Sequence, residues 1–149
     1  MVVRNLTNAA HHNGKDGVVQ AFEIRTGRYI CQLADGSTLS LRPGMVLPSI
    51  GVTVIDVQER GDLNGRVGRI VGEIDGRYKV NVVGNVVALK PANCLLPRGT
   101  RVIIEGLTNT AHWNGHVGAI HDVDLEAKRY VVDVSDQQQL RIRWDNVRL

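Results

Sequence analysis

Aromatic residues are scarce in this chain of 149 residues: three tyrosines, two tryptophans and one phenylalanine. So few rings cannot line a proline-motif groove or a methyl-lysine cage in each of several units. Cysteine is limited to Cys31 and Cys94. When the chain is laid on itself these fall on Val132 and Val147, so small buried hydrophobes are expected, not a disulfide or a metal pair. No apolar stretch is long enough to span a bilayer and no signal peptide opens the chain. The expectation is therefore an intracellular, cytoplasmic protein with no membrane partner. Runs of like charge are absent too. Eighteen basic against 15 acidic side chains give +3, a mild excess, and residues 1–50, 51–98 and 99–149 carry +2, +2 and −1.

What the chain has instead is one element three times. His112-Trp113-Asn114-Gly115-His116-Val117-Gly118 matches His11-His12-Asn13-Gly14-Lys15-Asp16-Gly17 and Asp62-Leu63-Asn64-Gly65-Arg66-Val67-Gly68. Asn-Gly signals a turn that needs positive φ. The glycine that follows, just before an apolar run, predicts close backbone approach or a sharp bend. The repeat reaches well beyond the turn. Residues 1–48 lie on 102–149 without a gap, Val3 on Ile104, Leu6 on Leu107 and Arg28-Tyr29 on Arg129-Tyr130. The middle copy is more diverged but keeps Val52-x-Val54, Arg77-Tyr78, Val80-x-Val82, Leu89 and Pro91. Such self-similarity predicts three units, 1–48, 51–97 and 99–149, each near the lower size limit for independent folding.

Within a unit the apolar positions alternate, as Tyr29, Cys31 and Leu33 do, which predicts half-buried strands. Thr26-Gly27, Asp35-Gly36 and Pro43-Gly44 separate them. About five short strands with one long loop is the plan of a small bent barrel. No amphipathic helix is found; a short helical turn is placed at Pro91-Ala92-Asn93 and its equivalents. The joints Pro48-Ser49-Ile50-Gly51 and Pro97-Arg98-Gly99 are too short to be flexible tethers, so docked units are expected, with Ile50, Leu95 and Leu96 at the junctions. The chain begins and ends almost at repeat edges, as a piece of something longer would.

A Val-x-Val strand, a long loop, Gly-x-x-Gly-x-Val and a Tyr-x-Val-x-Val strand together resemble SH3-like barrel units. The nearest are KOW-type units and the tandem SH3-like repeats of protist and algal proteins, with Gly106 to Ile120 the most KOW-like segment. The resemblance implies an all-β fold of three tandem SH3-like barrels and, for the protist-type repeats, an interaction module. KOW-type units contact RNA in several families, so it equally implies a nucleic-acid alternative.

Four histidines, His11, His12, His112 and His116, sit in the long loops, where pairs of histidines can make a metal site. The middle repeat has none there and no carboxylate completes a set, so no metal and no cofactor are expected. Ser37, Ser40, Ser49 and Ser135 have no repeated His and Asp around them, and Asp122 and Asp124 have no counterparts. No catalytic constellation forms, and a non-enzymatic protein is expected. For nucleic acid the candidate face is Arg60, Arg66, Arg69, Arg77 and Lys79, but Glu59, Asp62, Glu73 and Asp75 interleave with it. Stacking platforms are lacking apart from Trp113 and Trp144, since Tyr29, Tyr78 and Tyr130 repeat as core or barrel-mouth positions. A protein or peptide partner is the leading expectation. Trp113, which falls on His12 and Leu63, is its most distinctive residue, with His112, His116, His11, His12, Arg66, Arg69 and Trp144 as further candidates.

Overall fold

β-branched residues in alternation, broken every few positions by glycine and short polar turns, favour strands over helices. The computed structural model describes residues 1–149, and in it fifteen strands alternate with six short 3-10 turns; there is no α-helix. The strands form several sheets, one of them a half-barrel. No helix is long and apolar enough to cross a membrane. The chain divides into two compact units, Met1–Ile50 with Ile70–Gly72, and Gly51–Arg69 with Glu73–Leu149.

In the first unit β1 (Val2–Val3) pairs antiparallel with β5 (Val46–Leu47), and β2 (Gly17–Glu23), β3 (Arg28–Leu33) and β4 (Thr38–Leu41) form a meander. A single bridge, Val2 with Asp16, links the two sheets. The inward positions of these strands, Val3, Cys31, Leu33, Leu41 and Val46, make the core, and Met1, Leu6, Tyr29, Leu39 and Met45 pack against it. Cys31 is thus a buried hydrophobe of the core, as its alignment with Val132 implies.

The remaining strands form two five-stranded sheets and belong to the second unit, save that Ile70–Gly72 of one strand belong to the first. One contains β6 (Gly51–Val54), β7 (Val67–Ile74), β8 (Arg77–Val82), β9 (Asn85–Leu89) and β10 (Cys94–Leu95); the other β11 (Arg101–Ile104), β12 (Val117–Asp124), β13 (Arg129–Ser135), β14 (Gln138–Arg143) and β15 (Val147–Arg148). Both run in the order closing strand, first, second, third, fourth. The first unit has the same neighbours, short of a ladder between its first and second strands. Period-2 burial is cleanest in β8, where Tyr78, Val80 and Val82 face in and Arg77, Lys79 and Asn81 face out. Helical turns form at Pro43–Met45, Pro91–Asn93 and Trp144–Asn146, each leading into the closing strand.

The second glycine of each repeated element is there because no side chain fits. A Cβ on Gly68 would lie 2.6 Å from Val80 Cγ1 and 2.9 Å from the Asn81 carbonyl, and one on Gly118 2.5 Å from Val132 Cγ1. Gly17 would meet the Gln32 carbonyl at 2.7 Å. The second strand can therefore cross tightly over the third in every copy, the close approach the sequence predicts.

Candidate interaction surfaces

The three long loops share one backbone path. Asn13, Asn64 and Asn114 have φ/ψ of −59/135, −61/134 and −60/134, and the glycines after them have φ of +85, +84 and +86. Positive φ therefore falls on glycine alone, as in a type II turn, and not on both residues as a two-residue hairpin of type I′ would require. The asparagine has another task. Its Oδ1 accepts from the backbone N–H of the residue seven earlier, and its Nδ2 donates to that residue's carbonyl. The partners are Leu6 (3.0 and 2.9 Å), Val57 (2.9 and 3.0 Å) and Leu107 (2.9 and 2.9 Å). The side-chain amide stands in for a strand residue and closes the loop across its neck. The glycine N–H then ties the loop to the first strand, at 2.7 Å to Val3, Val54 and Ile104.

On this fixed frame the residue before the asparagine changes character. Leu63 is buried, whereas His12 and Trp113 are half-buried. Trp113 has His112 at 5.2 Å and His116 edge-on at 5.0 Å between ring centroids. His116 is held by its Nδ1, 3.1 Å from the Trp113 carbonyl. In the first loop His11 and His12 lie 4.0 Å apart. His12 Nδ1 is enclosed without a partner, and its pKa is lowered, first by desolvation and then by His11 and Lys15. Beside it Lys15 pairs with Asp35 at 2.9 Å. Hydrogen bonds from the Ser37 hydroxyl and backbone N–H, then Lys15, hold the Asp35 carboxyl well below the usual carboxylate range.

No family model matches the chain, and no curated protein matches it.

The remaining sequence candidates are scattered. Arg66 is exposed and donates from Nε to the Asp62 carbonyl at 3.2 Å, while Arg60 pairs with the Asp62 carboxylate. Arg69 is exposed on β7, next to β8 with its outward Arg77 and Lys79. Trp144 is not at the surface: it is 5% exposed, packs on Tyr130 at 6.3 Å, and its Nε1 is enclosed without a protein acceptor. Its equivalents are Pro43 and Pro91, each of which opens the same helical turn, a signal that this position serves the fold. The structure brings together no group of three or more His, Cys, Asp or Glu able to hold a metal ion. Across β12 and β13, His121 Nδ1 lies 3.1 Å from Asp133 Oδ2, and Gln139 donates to the other Asp133 oxygen at 2.8 Å, in a shallow depression that also takes in Arg101 and Ser135.

Sequence reasoning places Leu96 at a junction between units but misses the tyrosines that it and Leu149 meet there. The Leu96 N–H donates to the Tyr130 hydroxyl at 3.0 Å, and the Leu149 N–H donates to the Tyr78 hydroxyl at 2.9 Å, both buried. Tyr78 and Tyr130 are equivalent positions, and so are Leu96 and Leu149, so the contact is reciprocal, as in a two-fold interface. The helical turns Pro91–Asn93 and Trp144–Asn146, again equivalents, pack on one another. Ion pairs flank the contact: Lys128 with Asp56 at 3.0 Å and Arg98 with Asp122 at 2.7 Å. The available signal was the tyrosine repeated at one strand position in a chain so poor in aromatics.

Proposed function

We propose that the chain is a non-enzymatic interaction or scaffold module of three tandem SH3-like repeats, 1–48, 51–97 and 99–149, whose partner is a protein or peptide. The recurring strand order and the threefold asparagine clasp support the repeat reading. The observation that carries the function is the fixed loop with a variable tip: the same backbone holds His12, Leu63 or Trp113. A frame that keeps its geometry while its tip changes chemistry suits recognition better than catalysis, and a half-exposed tryptophan between two histidines is a strong contact residue.

The test is capture by the immobilised intact chain beside its Trp113→Leu variant, with and without nuclease. Leucine is what the same loop already carries at position 63, so the fold should be kept. A protein captured in the presence of nuclease by the parent chain and lost with Trp113→Leu supports the reading. Capture indifferent to Trp113→Leu, or abolished by nuclease, contradicts it.

The alternative is a KOW-like RNA- or DNA-binding protein, favoured by the exposed Arg66, Arg69, Arg77 and Lys79. Asp62, paired with Arg60, and Glu73 dilute that face. Few neutralised phosphates mean weak binding and a shallow salt slope. Sub-micromolar affinity for generic RNA at physiological salt, falling steeply as salt rises, would put this alternative first.

A further inference from the structure

The pairing of the second and third repeats shows what covers the tyrosine face of a repeat. Tyr78 and Tyr130 are each 2% exposed, and Ile70 and Ile120 on the same strand positions are 0% and 2% exposed. Val123 lines a small depression with Leu95, Leu96 and Pro97 at the end of the other repeat's closing strand. In the first repeat the register is the same: Val19 lies opposite Cys31 and Phe22 opposite Tyr29, as Ile120 lies opposite Val132 and Val123 opposite Tyr130. The outcome differs. Val19 is 39% and Phe22 48% exposed, and Tyr29 is half-buried with its ring 5.0 Å from that of Phe22.

The position that supplies the covering N–H differs as well. β5 pairs with β1 as β10 pairs with β6 and β15 with β11, so the residue equivalent to Leu96 and Leu149 is Pro48. Proline has no N–H to give. The N–H groups of Leu96 and Leu149 are both engaged.

We infer that the face formed by Val19, Phe22 and Tyr29 receives the closing-strand end of another repeat of this kind, one lying outside residues 1–149 and carrying a backbone N–H and an apolar side chain at the Leu96 position. Pro48 keeps two copies of this chain from pairing there. A second copy presenting its own Pro48 would offer the Tyr29 hydroxyl no N–H to accept from. Only a carbonyl equivalent to that of Cys94, which the Tyr130 hydroxyl reaches at 3.5 Å, would remain. The loss of the shorter buried hydrogen bond opposes association. A repeat ending in leucine meets both demands of the face. This surface is separate from the Trp113 loop and stands whether or not that loop binds a protein.

Sedimentation velocity on the intact chain tests it. The parent chain is expected to run as a monomer. Pro48→Leu supplies the N–H and the side chain found at both equivalent positions, and is expected to double the sedimenting mass. Adding Val19→Asp should return that variant to monomer. Pro48→Ala, which supplies the N–H alone, is the second variant and should self-associate more weakly than Pro48→Leu. The inference is overturned if both proline variants keep the parent's melting midpoint and remain monomeric. It is overturned equally if the parent chain itself forms a dimer that Val19→Asp disperses, since Pro48 would then bar nothing.

Discussion

The backbone N–H of Leu149 donates to the hydroxyl of Tyr78, 71 residues earlier in the chain. With its counterpart, Leu96 to Tyr130, it makes the second and third repeats each other's end cap. Tyr130→Phe keeps the ring and removes the acceptor, leaving a buried N–H without a partner. It should cost roughly 1–3 kcal/mol in urea unfolding. Tyr29→Phe, at the equivalent half-buried position of the first repeat, should cost far less.

The asparagine clasps supply the second prediction. Asn114→Ala removes two hydrogen bonds across the neck of the loop and should cost about 1–2 kcal/mol, with faster exchange of the Leu107 amide. Asn114→Asp keeps the acceptor but sets a carboxylate against the Leu107 carbonyl. Its loss should therefore shrink as the carboxyl is protonated at low pH.

Much of this was legible in the sequence, and what was not has a physical reason. The turns, the strands and the tight glycines follow from local chemistry: positive φ, alternation, a missing Cβ. The clasp was hidden because Asn13, Asn64 and Asn114 reach residues in an unpatterned loop, and an Asn-Gly pair reads first as a hairpin turn. The tyrosine exchange was hidden because its partner is a backbone N–H, which every residue but proline has. Trp144 is a binding candidate by chemical type alone; it is buried and packs on Tyr130, which only the tertiary structure brings to it. The expectation of docked units holds for the second and third repeats, with Leu96 3% exposed.

The glycines allow a matched comparison. Gly118→Ala would drive a methyl into Val132 and the Asp133 carbonyl, so a loss of about 1–3 kcal/mol is expected from overpacking. Gly44→Ala meets nothing within 4 Å and has no positive φ, and should leave the melting midpoint nearly unchanged.

Burial pushes the Cys94 thiol up to about 12 and raises that of Cys31 as well. Because only the thiolate reacts, both should be silent towards a thiol reagent at pH 8 in the native protein and should titrate fully in denaturant. Fast native-state reaction of Cys94 would mean that its strand opens.

Native-state hydrogen exchange of the Leu96 and Leu149 amides tests most directly whether the second and third repeats cap one another. Reciprocal capping predicts that both amides are strongly protected. It also predicts that Leu96→Asp, a buried charge costing at least about 2 kcal/mol, lowers the protection of Leu149 along with that of its own repeat. A Leu149 amide that exchanges as freely as a frayed strand end, or one whose protection ignores Leu96→Asp, would contradict it.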